Sequence, residues 1–191
     1  MENHLKDAQL KYLQAQINPH FLFNTLNAGA QLAMMEDANR TYEYIQKVAE
    51  LFRYNIKKSN EIVTLREEID LIDNYIYILN VRFSGEIQYI KQIEEVVKDK
   101  MDEITLPGMI LQPIIENSVN YGIRNIDWQG VITLNIYEKN KSICIEINDN
   151  GVGLGNVINR LKIYCDSEDL FKIFSEGENE GTTIWITLPQ S

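Results

Sequence analysis

The chain has 191 residues, 18 basic and 28 acidic, for a formal charge of −10 at neutral pH. Such a field argues against a nucleic-acid partner held by phosphate contacts, though not against a small anion at one local site. Hydrophobic residues at 45% beside 24% charged ones describe a folded globular chain, long enough for one large domain or two small ones. Four prolines and ten glycines leave no low-complexity linker. The two cysteines, Cys144 and Cys165, sit in apolar patterns without a CxxC pair, so they read as small buried side chains in a reducing compartment. Apolar runs such as Met109–Ile115 are too short to span a bilayer, and the polar Met1–Lys11 is no signal peptide. The expectation is a cytoplasmic chain, compatible with the inner part of a longer membrane protein.

Up to about residue 85 the periodicity is helical. Leu10, Leu13, Ile17 and Phe21 recur at three to four residues, and Ile45, Val48, Ala49, Phe52 and Ile56 repeat the stripe. A third helix opens at Thr64-Leu65-Arg66-Glu67, a capping-box pattern, and runs through Ile69, Ile72, Ile76 and Leu79 to Phe83. Stripes of this length need partner helices, either from this chain or from a second copy, and a homodimer is the natural expectation. Ser84-Gly85 breaks the pattern, and Ile87–Ile93 alternates like a strand. Pro107 precedes a short apolar helix over Gly108–Tyr121, with Gly122 as its stop. Val131–Tyr137 and Ile143–Ile147 read as a hairpin around Glu138–Lys141, Asn156–Cys165 as a short helix, and Leu170–Phe174 with Thr182–Leu188 as a second hairpin. The class is α+β: helices over residues 1–85, then an antiparallel-rich sheet with helices on one face over 86–191.

Three segments carry candidate chemistry. In Gln16–Asn24 a proline interrupts a helical stripe at a cost of about 3 kcal/mol, and beside it stands His20, one of two histidines. In Asp149-Asn150-Gly151-Val152-Gly153 an aspartate ends a strand, where it can accept a hydrogen bond from an exocyclic amine such as that of adenine. The glycines permit close backbone approach, and Gly153-Leu154-Gly155-Asn156 leads into a helix whose first amides suit a phosphate. In Gln112–Asn120 the polar Glu116, Asn117 and Asn120 interrupt a core-like helix. One amide oxygen there, together with nucleotide phosphates and water, matches the ligand habit of magnesium. Each segment alone also has a bland reading as a kinked helix, a turn or a solvated helix face.

In this order and spacing the segments resemble the sensor histidine kinases of the LytS/YehU type, whose catalytic half is a Bergerat-fold ATP-binding α/β sandwich, and the resemblance covers nearly the whole chain. Gln16–Asn24 matches the phosphoacceptor segment, which implies His20 as the phosphorylated residue. Leu65-Arg66-Glu67-Glu68 through Asn74-Tyr75 and Arg82-Phe83 matches the joining helix. Leu106-Pro107, Leu111-Gln112-Pro113 and Glu116-Asn117 match the N box, which implies Asn117 as magnesium ligand. Asp149–Gly153 matches the adenine box. Gly155-Asn156-Val157 with Arg160-Leu161 matches the helix start after the ATP lid, and Gly181-Thr182 the strand entry near adenine. The implied ATP-binding set is Asn117, Asn120, Asp149, Gly151, Gly153, Gly155, Asn156 and Thr182. Glu116 is the candidate general base or orienting carboxylate.

The resemblance implies Mg2+-ATP binding, phosphorylation of His20, and transfer to an aspartate of a response-regulator receiver domain, with membrane attachment only through an N-terminal sensor region. One departure stands out: Gly153 runs directly into Leu154-Gly155-Asn156, where relatives carry a longer lid between the two boxes. Two alternatives follow. One is a lid-impaired, non-catalytic or phosphatase-biased dimeric scaffold; the other is an ATPase of the same fold without phosphohistidine.

Overall fold

A computed structural model describes residues 19–58, 61–83, 85–123, 126, 128–151, 171–174 and 182–189. The chain divides into two compact units, Met1–Ile56 and Lys57–Ser191. In the first, helix α1 (Pro19–Met35) and helix α2 (Asn39–Lys57) are joined by a short turn in which Asp37 takes a positive φ of 55°. Small residues set their approach: Ala30, Ala33 and Ala49 are buried, and a Cβ on Gly29 would stand 3.5 Å from Ile45 Cδ1. The Arg53 guanidinium lies 5.5 Å from the centre of the Phe23 ring, which ties the two helices together. Much of the apolar stripe faces outward, since Phe21, Leu32, Met34, Met35, Phe52 and Ile56 are exposed. The stripe residues before Pro19, and His4, lie outside the described residues.

The second unit opens with strand β1 (Ile62–Thr64), which delivers Thr64 as the N-cap of helix α3 (Leu65–Arg82). The expected capping box is present: Thr64 Oγ1 accepts the Glu67 N–H at 3.2 Å, and Glu67 Oε2 accepts the Thr64 N–H at 2.9 Å. Gly85, at φ 83°, turns the chain after α3 into strand β2 (Ile87–Ile93). The single-turn helix α4 (Glu95–Lys98) follows, then strand β3 (Thr105–Pro107), which pairs antiparallel with β1. The sequence pattern shows no sign of this two-stranded sheet, because each strand is only three residues long.

Helix α5 (Leu111–Asn117) continues without a break into a π-helical turn, Ser118–Ile123. It starts three residues later than the expected Gly108. Pro113 falls in its first turn, where the missing N–H would have had no intrahelical partner in any case. Strands β4 (Gly130–Lys139) and β5 (Ser142–Asp149) form the expected hairpin, turned by Asn140 and Lys141, both at positive φ. Strands β6 (Phe171–Phe174) and β7 (Thr182–Pro189) pair antiparallel, as expected of the second hairpin.

The main sheet has the order β2-β4-β5-β7-β6. It is antiparallel except that β2 runs parallel to β4, with Ile87 opposite Gly130 and Ile93 opposite Ile136. Alternation sends Ile132, Leu134, Ile136, Ile143, Ile145, Ile147, Ile184 and Ile186 into the core. Helix α3 packs on α5 and β2, and the π-helical turn packs on β4 and β5. This is the α+β class read from the sequence. Cys144 departs from expectation: it is half-buried rather than buried, because it alternates with Ile143 and Ile145 and so takes the other face of the sheet. Cys165 and the expected helix Asn156–Cys165 lie outside the described residues. Helix α3, grouped above with the N-terminal helices, falls within the second compact unit.

Candidate functional site

Asp149 is the last residue of β5 and is buried, 2% exposed. A carboxylate so placed needs donors. Ser118 Oγ donates to Oδ2 at 2.8 Å, and the Gly151 N–H donates to Oδ1 at 3.1 Å. Thr182, also buried, stands opposite Asp149 in the β5–β7 register and adds a backbone hydrogen bond. Burial pushes the Asp149 carboxyl above the usual carboxylate range, and the bonds from Ser118, Gly151 and Thr182 draw it part of the way back. A carboxylate has about four lone-pair sites, so one aimed by these donors can still accept from the amine of a ligand.

Asn150 fixes the chain as it leaves β5. Its Oδ1 accepts the Val131 N–H at 2.7 Å, its Nδ2 donates to the Gln129 carbonyl at 3.0 Å, and the Asn150 carbonyl accepts from Trp128 Nε1 at 3.3 Å. The chain therefore leaves β5 from a braced point, and Gly151 is buried. Gly153, Gly155 and Asn156 lie outside the described residues.

Helix α5 brings the third segment to the same place. Asn117 is its last residue and is half-buried, one position before the Ser118 that touches Asp149. Asn120 lies in the π-helical turn and is exposed. Glu116 is half-buried and accepts from Gln112 Nε2 at 2.6 Å. Burial first, then the nearby Glu116 charge, push the Tyr75 hydroxyl well above its usual value. Among the described residues no cluster of three or more His, Cys, Asp or Glu side chains is arranged to hold a metal ion. Asn117 supplies one hard oxygen, which fits a magnesium ion that takes its remaining ligands from phosphates and water.

His20 lies in the other compact unit, exposed in the first turn of the described α1. Asn24 Nδ2 donates to its Nδ1 at 3.2 Å, one helical turn on. A cavity of about 580 Å³ lined by Gln92, Asn135, Tyr137 and Glu146, among others, contains none of the candidate residues.

Two side chains that support the candidate site fall inside the matched segments without being singled out by them. Ser118 falls seven residues after Leu111, on the stripe that also holds Ile114 and Ile115, so a hydroxyl on the buried side was the available signal. Glu68 lies three residues after Leu65 and four before Ile72, again a polar group on a buried stripe; it is fully buried and holds the backbone at the start of α5. Both are visible as violations of the apolar pattern, but their partners are not.

A family profile for histidine kinases matches residues 8–87. The chain is 30% identical over 200 residues to the sensor histidine kinase YesM of Bacillus subtilis, covering 97% of this chain and 34% of that protein. It is 33% identical over 154 residues to the sensor protein LytS of Oceanobacillus iheyensis, covering 80% of this chain and 26% of that one. The chain thus spans about a third of the length of these curated relatives or less. Among solved structures, the catalytic domain of the histidine kinase ThkA aligns with a TM-score of 0.47 at 12% identity, over 67% of this chain and 94% of that one. Among the described residues no helix is long and apolar enough to cross a membrane.

Proposed function

The chain belongs to the histidine kinase family, among its LytS- and YesM-like sensor kinases, and from that premise we propose that it binds Mg2+-ATP, phosphorylates itself on His20 and passes the phosphoryl group to an aspartate of a response regulator. The observation that carries this reading is the buried Asp149 carboxylate, aimed by Ser118 and Gly151 at the place where the N-box helix meets the end of β5.

In this mechanism Asp149 accepts a hydrogen bond from the exocyclic amine of adenine, with Thr182 beside it. A buried acceptor of this kind selects adenine over a base that presents a carbonyl there, since two acceptors would face each other without a proton. Asn117 offers its amide oxygen to magnesium; when bound, that ion neutralises charge on the β- and γ-phosphates. Asn120 completes the ATP-binding set on the N-box side, and the resemblance assigns the phosphates to backbone N–H groups near Gly153, Gly155 and Asn156, which lie outside the described residues. An imidazole nitrogen of His20 attacks the γ-phosphorus in line, forming the P–N bond as the bond to the ADP oxygen breaks. Glu116, steadied by Gln112, takes the proton or orients the reacting groups. The outward Phe21, Leu32, Met34 and Met35 of α1, with Phe52 and Ile56 of α2, support a homodimer built on these helices.

The direct run of Gly153 into Gly155 favours a second reading. Without a long lid, the triphosphate is less shielded from water, which suits a phosphatase-biased or non-catalytic scaffold.

The test is incubation with γ-labelled ATP and magnesium beside a His20→Gln control. Acid-labile, base-stable label that disappears in the control supports the kinase. Bound nucleotide without label favours the scaffold, and hydrolysis that survives His20→Gln favours an ATPase. Absence of nucleotide binding would overturn the reading of Asp149.

A further inference from the structure

Helix α5 has no cap of its own. Its N-cap residue, Ile110, has no side chain able to accept a hydrogen bond, and the preceding Met109 sits at φ 66°, a left-handed conformation that non-glycine residues seldom adopt. With Ile110 at φ −85° and ψ −46°, the pair turns successive N–H groups toward one point, the backbone concavity that elsewhere cradles anions. Here the anion comes from the chain itself. Glu68 Oε1 accepts the Met109 N–H at 2.8 Å, and Oε2 accepts those of Ile110 at 3.1 Å and Leu111 at 3.0 Å. The carboxylate reaches across more than 40 residues and is fully buried. Charge-assisted bonds to three otherwise orphaned donors fix the start of α5 against α3.

We propose that Glu68 is a positioning residue for the nucleotide site: by holding the first turn of α5 it sets the place of Asn117 and Glu116 at the other end of that helix. This rests on the reading of Asn117 as a magnesium ligand. Helix α5 is only seven residues long, about 10 Å at 1.5 Å per residue, so a shift at its start is carried to its end with little loss. Burial of an uncapped nest would leave three donors unpaired, which the helix would relieve by moving. Asp149 is held by Gly151 and Thr182 as well as by Ser118, which follows Asn117 directly, so a change at Glu68 reaches metal placement in full and adenine recognition only through one of three bonds.

The experiment is calorimetric titration of the whole chain and of its Glu68→Gln and Glu68→Asp variants with a non-hydrolysable ATP analogue, with and without Mg2+. Thermal midpoints are recorded alongside. In the unaltered chain Mg2+ tightens binding. In Glu68→Gln the Mg2+-dependent gain falls about tenfold, the usual scale for loss of a group that orients a metal ligand, while Mg2+-free affinity falls by less, about threefold, through the Ser118–Asp149 bond. Glu68→Asp, which keeps the charge on a shorter arm, recovers part of the gain; if Glu68→Gln does not fold, it carries the test by itself with an intermediate loss. Equal losses with and without Mg2+ would overturn the proposal, making Glu68 a fold element only, and so would unchanged binding in folded variants. Failure of the unaltered chain to bind the analogue, visible before any variant is made, would overturn the nucleotide reading itself and this proposal with it.

Discussion

Replacing Ser118 with Ala removes one hydroxyl from a buried contact and leaves the backbone untouched. Ser118 and Asp149 are 1% and 2% exposed, and the bond between them is 2.8 Å long, so water does not readily replace the lost donor. A hydrogen bond to a charged group in such a setting contributes about 1.5–3 kcal/mol. Taking about 2 kcal/mol, a chain of this size should lose about 4–8 °C in thermal midpoint at neutral pH.

The pH dependence makes the test specific. Burial already holds the Asp149 carboxyl above its ordinary 3.8, and the Ser118 bond draws it down. Without that bond the folded-state value rises further. A carboxyl whose pKa is higher folded than unfolded binds more protons in the folded state, so stability falls as pH rises through that window. The variant therefore loses most at neutral pH, and the gap to the unaltered chain narrows as pH falls toward the ordinary carboxylate value. Urea or thermal melts at about pH 7.5 and about pH 4 measure both gaps. A gap of the same size at both pH values would refute the idea that the hydroxyl acts on the Asp149 charge. Adenine-nucleotide affinity should fall about tenfold in the same variant.

Asp149→Asn removes the buried charge and keeps a side chain that can bond to Ser118 and Gly151. At neutral pH its stability should equal or exceed that of the unaltered chain, with the difference fading at acid pH, while nucleotide binding is lost; a melt and a titration on one sample read both, and a folded variant that still binds ATP would refute the adenine role. Gly108→Ala should destabilise the second unit by about 2 kcal/mol, because a Cβ there would run into the Lys58 carbonyl and stand 3.3 Å from both the Glu61 carbonyl and Val63 Cγ1. The Gly108 N–H also donates to the Glu61 carbonyl at 2.8 Å, which holds the backbone in place. An unchanged urea midpoint would show that this corner has room to move.

Local structure in this protein is set within short windows of sequence. The capping box of α3 needs only Thr64 and Glu67, three residues apart; the β4–β5 hairpin needs alternating isoleucines and a two-residue turn; β2 spans the alternating run Ile87–Ile93. These are legible because helix and strand bury residues at different periods, and because caps and turns close over no more than four residues. The three candidate segments stand out for the same reason, since His20, Asn117 and Asp149 each interrupt a regular apolar pattern.

What the sequence could not specify is which segments meet. The parallel pairing of β2 with β4 joins strands separated by α4, β3 and α5, and no local signal marks a crossover. Ser118 reaches Asp149 across 31 positions, and Glu68 reaches Met109, Ile110 and Leu111 across 41 to 43. A buried polar residue on an apolar stripe announces that it needs a partner, because an unpaired one costs too much to leave inside. The identity of that partner depends on how the elements pack. Tertiary structure alone brings the end of β5, the N-box helix and the carboxylate of α3 into one supported group.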